Sequence, residues 1–552
     1  MKNIISNKYF KILITAVFVI LVAVQAGKSF VLDEIDFPIV SHATSQSLKP
    51  IYYRGEVSPV HVGTYHPTLY INSLAAFIKT FGFNETSVRF FGVICTLSSA
   101  YLLILILRRL IKKNETAETL LLGLYLYNPY TIANTTLPDI DSTVLPVVLL
   151  LFIYFSLRYL LQKKDMDNRV VLILGALFGL ALWSKLTTPL IIPPYLACLA
   201  IITSKNYKKS IIFTLKVTLF GSFAFVLTYF IYCRTLGLST TYTYHFLLDS
   251  FAKGTSTDGP VAGALKNLGN IRTFIFWPTL PIIGLLGVSF IGVVLDKGSD
   301  EKTRVKKLLF IMGLIVTFFY IALIAPFGGF FKYPFPVFGL LILGIVFFFE
   351  RYFRTTKVNI FYMLIATSFG LLIERLVWKD SMFLNGRPFH GLIILLVIVV
   401  TCYLLIKFYK HRLVSVFFVT FVFFSIGFQL NISRTQAIST YPTKYHYGQM
   451  GLNQTAAYLK SNTDPNEVIW SMKDIGYYVN NRYYESYDYY FSKPLEADLI
   501  NKLNGGKVRY YVVSTGIGED NVDYYPNIKQ ILDTYAIPEK QFGNFIIYKS
   551  KE

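Results

Sequence analysis

This sequence is poor in cysteine, in charge and in acids. It has four cysteines in 552 residues. Cys95, Cys198, Cys233 and Cys402 show none of the spacings of a metal site or a disulfide framework, which excludes a stapled or zinc-bound scaffold. Only 15% of residues are charged, 54% are hydrophobic and the mean hydropathy is +0.49. A soluble fold of this length needs far more polar surface, so the chain reads as a polytopic membrane protein. No internal repeat is evident, which argues against a secondary transporter built from paired halves.

Apolar stretches long enough to cross a bilayer recur from Tyr9 to Leu430. About thirteen spans are predicted, over 9–28, 90–107, 118–134, 142–161, 170–184, 187–203, 211–232, 273–295, 308–325, 333–349, 358–377, 389–407 and 412–430. The 53 Lys and Arg against 32 Asp and Glu leave a net charge of +21. Spread over a soluble surface, that charge would point to nucleic acid. Here the bases cluster in alternate loops: Lys2, Lys8 and Lys11; Arg108, Arg109, Lys112 and Lys113; Lys163, Lys164 and Arg169; Lys205, Lys208 and Lys209; Lys302, Arg304, Lys306 and Lys307; Arg351, Arg354 and Lys357; Lys407, Lys410 and Arg412. The span count puts every cluster on one side. This positive-inside pattern predicts a cytoplasmic N-terminus and an outer C-terminus, with membrane lipid headgroups rather than nucleic acid as partners of these charges. Val24-Gln25-Ala26 also fits a signal-peptide cleavage site, a second reading of the first span that leaves the final topology unchanged.

Two domains follow. Residues 1–430 form the membrane domain, with outer loops at 31–89 and 233–272. Within the first loop Leu74, Phe77, Ile78 and Phe81 recur at helical spacing, as in a helix lying in the interface. Residues 431–552 are polar and Tyr-rich and alternate helix-like with strand-like pieces, predicting a small outer α/β domain. Its predicted helices are Gln454–Ser461, Leu495–Leu503 and Tyr525–Tyr535. Its predicted strands are Glu467–Met472, Val508–Ser514 and Asn544–Lys549.

Ionisable residues near the spans collect on the predicted outer side. Asp33, Glu34 and Asp36 end the first span, and Asp139 and Asp141 occupy the short turn after the third. His66, Lys185, Lys332 and Arg387 lie at other outer boundaries. Taken singly, each has an ordinary explanation as a snorkelling anchor, a solvated acid or a hydrogen-bonded histidine. Their convergence on one face favours function. Acids beside cations suit a hydroxyl nucleophile and an anionic leaving group: a carboxylate takes the proton and cations stabilise the departing phosphate.

The order of DE after the first span, HPTLY before the second, LPDID after the third, WSKLTTP at the fifth and KYPFP before the tenth resembles the GT-C superfamily of membrane glycosyltransferases. The likeness is to the branch of protein O-mannosyltransferases and lipid A aminoarabinose transferases, and RFFGVICTLSSAYLLILILRRL and the tail segments AAYLK, VRYYVVST and FIIY extend it over nearly the whole chain. The resemblance implies a GT-C fold and transfer of a sugar, with inversion, from a polyprenyl-phosphate donor to an acceptor outside a bacterial cytoplasmic membrane. The acceptor group is a hydroxyl or phosphate on a lipid, glycan or protein. By motif match Asp33 is the base and Glu34 its neighbour that helps hold the acceptor. Asp139 or Asp141 is the second acidic position, with Asp141 favoured. His66, Lys185 and Lys332 match donor-phosphate positions, and Arg387 joins them by position alone. A divalent metal held by Asp33 and Asp141 is compatible with this chemistry, though no compact ligand spacing demands one. HPTLY lacks the second Pro of the common HPPLYY, and WSKLTTP lacks the usual Gly after Lys. A lipid or glycan flippase is the alternative, and it would need polar residues near mid-membrane, where the span map places almost none. A non-catalytic scaffold would leave the outer acids and cations unexplained.

Overall fold

The computed structural model describes residues 8–27, 30, 35–53, 59–62, 66–163, 166–241, 243–245, 280–295, 298–320, 332–353, 451–464, 467–471, 473–479, 482–485, 487–488, 493–494, 508–515 and 526–551, with 368, 424 and 427 singly. Contacts sort the chain into two compact units. Met1–Gly27, Thr64–Ser73 and Thr86–Ile438 form the first; Lys28–Gly63, Leu74–Glu85 and Ser439–Glu552 form the second.

The first unit is helical. In chain order its helices are α1 (Lys8–Ala26), then, after α2 and α3 described below, α4 (Glu85–Leu110), α5 (Glu115–Leu126), α6 (Pro129–Thr136), α7 (Val144–Ser156), α8 (Asn168–Ser184), α9 (Ile192–Ser204), α10 (Tyr207–Leu236), α11 (Leu280–Leu295), α12 (Glu301–Phe319) and α13 (Phe335–Phe353). A π-helical turn, Leu157–Lys163, extends α7. Among the described residues, Glu85–Leu110, Val144–Lys163 and Tyr207–Leu236 are each long and apolar enough to cross a membrane, and Lys11–Val24, Asn168–Ser184, Thr188–Ser204 and Phe335–Phe348 are shorter apolar helices. The spans predicted at 358–377, 389–407 and 412–430 lie, apart from the three single residues, outside the described residues.

The third predicted span is not one helix. Asn128 leaves the helical conformation, its side chain accepts a hydrogen bond from Tyr130 N at 2.9 Å, and Pro129 takes the first position of α6. There a missing N–H costs nothing. The apolar run conceals this restart, which separates α5 from α6. Elsewhere the caps are conventional: Asn114, Asp167, Asn206 and Asp300 accept from backbone amides at the starts of α5, α8, α10 and α12.

Close helix contact depends on glycine. A Cβ on Gly221 of α10 would lie 2.5 Å from the Gly175 carbonyl oxygen of α8. The other side of α10 exposes Leu215, Leu219, Phe223, Val226 and Phe230, an apolar stripe suited to lipid. Helix α1 is built into the unit: Phe18 and Val22 are fully buried, Tyr127 Oη donates to the Ile14 carbonyl at 2.8 Å, and Lys11 pairs with Glu115 and Glu118.

The second unit begins with α2 (Asp36–Ser47), where Asp36 sits in the first turn, favourably placed against the helix dipole. An antiparallel hairpin follows, β1 (Ile51–Tyr53) with β2 (Pro59–Val62). The predicted amphipathic segment is α3 (Leu69–Phe81); its Leu74–Phe81 portion belongs to this unit. The polar tail folds as an α/β sandwich. Its helices are α14 (Leu452–Asn462), α15 (Lys473–Val479) and α16 (Pro526–Tyr535), and its main strands are β3 (Val468–Ser471), β4 (Arg482–Glu485), β7 (Val508–Ser514), β8 (Ala536–Phe542) and β9 (Phe545–Ser550). The short pair β5 (Tyr487–Asp488) and β6 (Lys493–Pro494) stands apart. The five-stranded sheet runs β4-β3-β7-β9-β8, with β3 parallel to β4 and β7 and the β7-β9-β8 edge antiparallel. Alternation along β7 sends Tyr510 and Val512 to a core with Leu452, Leu459 and Ile475, and Tyr511 and Val513 to a core with Ile528 and Leu532, which Val508 joins across a register shift against β3. The strand period of two thus buries both faces under helices. The predicted helix at Leu495–Leu503 lies outside the described residues.

Candidate active site

The LPDIDST segment leaves α6 and enters α7 through a turn that its own side chains close. The Asp139 amide donates to the Leu137 carbonyl at 2.9 Å, and Asp139 Oδ1 accepts from the Asp141 amide at 2.9 Å. Such a bond to the backbone two residues on is the usual habit of an aspartate in a turn. Ser142 Oγ donates to the Leu137 carbonyl at 2.7 Å, and Thr143 Oγ1 donates to the Asp139 carbonyl at 2.6 Å. Both aspartates are buried.

Two lysines from distant segments meet them. Helix α8 ends at Ser184, and Lys185 drops into extended backbone (φ −161°, ψ 148°) with its amide still bonded to the Ala181 carbonyl. Its Nζ reaches both Asp141 oxygens at 2.7 Å. Lys332, in the turn before α13, donates to Asp139 Oδ2 at 2.7 Å. The doubled acid of DID is therefore divided between two cations, one each.

Aromatic rings close the cluster. Lys185 Nζ lies 4.6 Å from the Tyr333 ring centre and 5.6 Å from that of Tyr320, and Lys332 Nζ lies 5.8 Å from Tyr333. Tyr320 and Tyr333 stack at 5.8 Å, and Thr188 bonds the Tyr320 hydroxyl. The ammonium of Lys185 thus has a carboxylate on one side and two π faces on others, a setting that keeps it charged. Sequence reasoning missed Tyr320, Tyr333 and Thr188. Tyr333 does stand in KYPFP and Thr188 closes WSKLTT, but the signal there was read for its lysines alone.

Electrostatics separate the two acids. Burial acts to raise Asp139, but the Lys332 charge and hydrogen bond hold it below the usual carboxylate value. Burial, reinforced by the Asp139 charge, pushes Asp141 up to about 6 against the pull of Lys185. Burial alone would lower Lys185; the Asp141 carboxylate instead holds it above the ordinary lysine value. His66 faces the same group. Burial first, then the Lys185 charge, brings it down to about 3, so it is neutral at physiological pH.

The structure therefore brings Asp139, Asp141, Lys185, Lys332 and His66 together. Asp33, Glu34 and Arg387 lie outside the described residues. Arg89, which the sequence reading passed over, is fully buried in α4 and binds two helix ends: Nη1 donates to the Ala26 carbonyl at 3.1 Å and Nε to the Thr136 carbonyl at 3.3 Å. It thereby ties the end of α1 to the end of α6, just before the DID turn. A metal fits the described part of this site poorly: both Asp141 oxygens already face an ammonium group, and among the described residues no three His, Cys, Asp or Glu side chains gather as a ligand set.

Residues 65–232 match the family described as dolichyl-phosphate-mannose-protein mannosyltransferase. Over nearly its full length the chain is similar in structure to ArnT from Cupriavidus metallidurans bound to undecaprenyl phosphate, with 12% identity, a TM-score of 0.60 and 97% of each chain covered. The apo state of the same protein gives a TM-score of 0.58 at the same identity and coverage. None of the curated proteins matches in sequence.

Proposed function

We propose that the chain is a membrane glycosyltransferase of the GT-C type that moves a sugar from a polyprenyl-phosphate donor to an acceptor hydroxyl or phosphate on the outer face of the cytoplasmic membrane, with inversion at the anomeric carbon. The observation that carries this reading is the buried quartet of Asp139, Asp141, Lys185 and Lys332 with neutral His66 beside it. Two lysines already set against carboxylates are a ready site for a lipid-linked phosphate, which would compete with the aspartates for the same ammonium groups. The undecaprenyl phosphate named with ArnT is a donor carrier of the same chemistry.

In the proposed step the acceptor oxygen attacks the anomeric carbon as the bond from that carbon to the phosphate oxygen breaks. For a hydroxyl acceptor, Asp33 takes the proton while Glu34 helps hold the acceptor. The leaving phosphate keeps the bonding pair, and Lys185 and Lys332 meet its growing charge; neutral His66 can add a hydrogen bond without competing for charge. Displacement from the face opposite the phosphate gives inversion.

The test is transfer by the full chain in proteoliposomes, with undecaprenyl-phosphate mannose first and other undecaprenyl-phosphate sugars after it, comparing wild type with Asp33→Asn. Wild-type transfer that Asp33→Asn abolishes supports the scheme. Full transfer by Asp33→Asn sinks the base assignment, and no transfer by the wild type with any such donor sinks the donor class.

A further inference from the structure

The two lysines proposed for the donor phosphate each have a carboxylate already in place, and the four charges cancel. Lys185 Nζ donates to both oxygens of Asp141 at 2.7 Å, and Lys332 Nζ donates to Asp139 Oδ2 at 2.7 Å. All four side chains are 12% exposed or less. The acids are the fixed members. They sit on a short turn, where Asp139 Oδ1 accepts from the Asp141 amide and the Ser142 and Thr143 hydroxyls bond the Leu137 and Asp139 carbonyls. Each ammonium instead rides on a flexible four-carbon stem with three N–H donors.

A phosphate entering this site meets cations whose partners do not leave. It must take N–H groups from the aspartates or lie beside their charge, and in a buried setting either one weakens its binding. Sugar transfer then changes the charge to be held. The donor is a phosphodiester with a single negative charge, whereas the product is a phosphomonoester, which carries about −1.5 to −2 near neutral pH. The same two lysines therefore attract the product more strongly than the donor. The carboxylates oppose that attraction on the spot, because each lysine has an acid to return to as the phosphate departs. The Tyr333 and Tyr320 ring centres, 4.6 and 5.6 Å from Lys185 Nζ, hold the ammonium without repelling an anion as a carboxylate does.

We propose that Asp139 and Asp141 set the release of the polyprenyl phosphate product, acting through Lys332 and Lys185 as resident competitors of its phosphate group. This rests on the reading of the two lysines as the phosphate site. A role confined to holding the lysines in place makes the opposite prediction, since a lysine without its acid loses its position and phosphate binding weakens. Under the release role, removing one carboxylate charge makes phosphate binding stronger.

The experiment measures equilibrium binding and dissociation of undecaprenyl phosphate with the purified full chain in nanodiscs at pH 7.5. It compares wild type with Asp141→Asn, Asp139→Asn, Lys185→Met and Lys332→Met. Each Asn keeps the size of the acid and one carbonyl acceptor, so Asp139→Asn can still receive the Asp141 amide. The expected result is a Kd about tenfold or more below wild type in each Asn variant, carried by slower dissociation, and about tenfold or more above it in each Met variant. Where variants of the Asp141–Lys185 pair do not fold, those of the Asp139–Lys332 pair decide. Binding equal to or weaker than wild type in a folded Asn variant, beside weakened Met variants, overturns the release role and leaves the phosphate site standing. So does tighter binding with unchanged dissociation, or failure of both Asn variants to fold, which marks the acids as structural. Wild-type affinity in the Met variants, or no binding by the wild type, overturns the phosphate reading, and the proposal falls with it.

Discussion

Lys185 Nζ lies 2.7 Å from both carboxylate oxygens of Asp141, with the two side chains only 6% and 3% exposed. A buried pair of this kind adds little net stability over an apolar pair of the same shape, but losing one partner strands the other. Asp141→Leu or Lys185→Met alone should therefore cost about 3–5 kcal/mol, read as a lowered thermal midpoint of the solubilised protein. The double variant should regain most of that loss yet stay inactive, which separates the stability of the pair from its service to the donor phosphate. Full transfer by the folded double variant would remove Lys185 from the phosphate site.

His66 gives the pH dependence its sign. Its folded value of about 3 lies below the ordinary histidine value of 6.5, so the folded state binds fewer protons than the unfolded chain between those limits. Its contribution to stability is then complete above about 6.5 and declines as the pH falls toward 3. Replacing it by Asn, which does not titrate, should flatten this part of the profile. Thermal midpoints at pH 7.5 and 5 check it: wild type should lose more than His66→Asn between the two, and equal losses would refute the burial of a neutral imidazole.

The two halves of this site were not equally legible. The lysines and aspartates show in the sequence because an ionisable residue at the edge of an apolar run is conspicuous. Which lysine meets which aspartate does not show: Lys332 joins Asp139 across 193 positions and Lys185 joins Asp141 across 44. Only tertiary packing makes those pairs. Val508–Ser514 matches the strand predicted there because it is a short run rich in Val and Tyr, four of which, Tyr510 to Val513, alternate between two buried cores. Strand β8 was missed, since Pro538, Glu539 and Lys540 break every strand preference at a sheet edge, where such residues are tolerated. Asn128 hid because an N-cap inside a long apolar run looks like an isolated polar residue.

Gly92 carries a testable demand on the DID turn. A Cβ there would lie 2.2 Å from the Thr135 carbonyl oxygen and 3.9 Å from Thr143 Cγ2, so α4 packs directly on the backbone at the end of α6. The neighbouring Thr96–Thr135 hydroxyl contact of 2.9 Å leaves α6 little room to slide. Gly92→Ala must push α6 away, at about 1–3 kcal/mol, and shift the turn that holds both aspartates. The expected outcome is a lower thermal midpoint together with a kcat loss that persists at low temperature. A variant with wild-type turnover would show that the turn tolerates the displacement.

Glu118 tests the far end of the same unit. It is 1% exposed and meets two cations, Lys11 of α1 and Arg108 of α4, the latter through two bonds at 2.7 and 2.8 Å. The charge and hydrogen bonds of Arg108 and Lys11 are what offset the cost of burying the carboxylate. Glu115, on the same helix, also pairs with Lys11 but is 29% exposed. Removing Glu118 by Ala leaves Lys11 with only the Glu115 partner and deprives Arg108 of its bidentate contact, so the loss should be about 3 kcal/mol. Glu115→Ala should cost at most about 1 kcal/mol, as for other exposed pairs. Lys11→Met should fall between them, because Arg108 still neutralises Glu118. Raising the salt concentration should erase the small Glu115 effect and leave most of the Glu118 effect in place, since counterions screen the exposed pair more than one whose carboxylate is 1% exposed. Thermal midpoints of the three variants at low and high salt decide it, and equal losses for Glu115→Ala and Glu118→Ala would show that the buried carboxylate does not join α1 to α4 and α5.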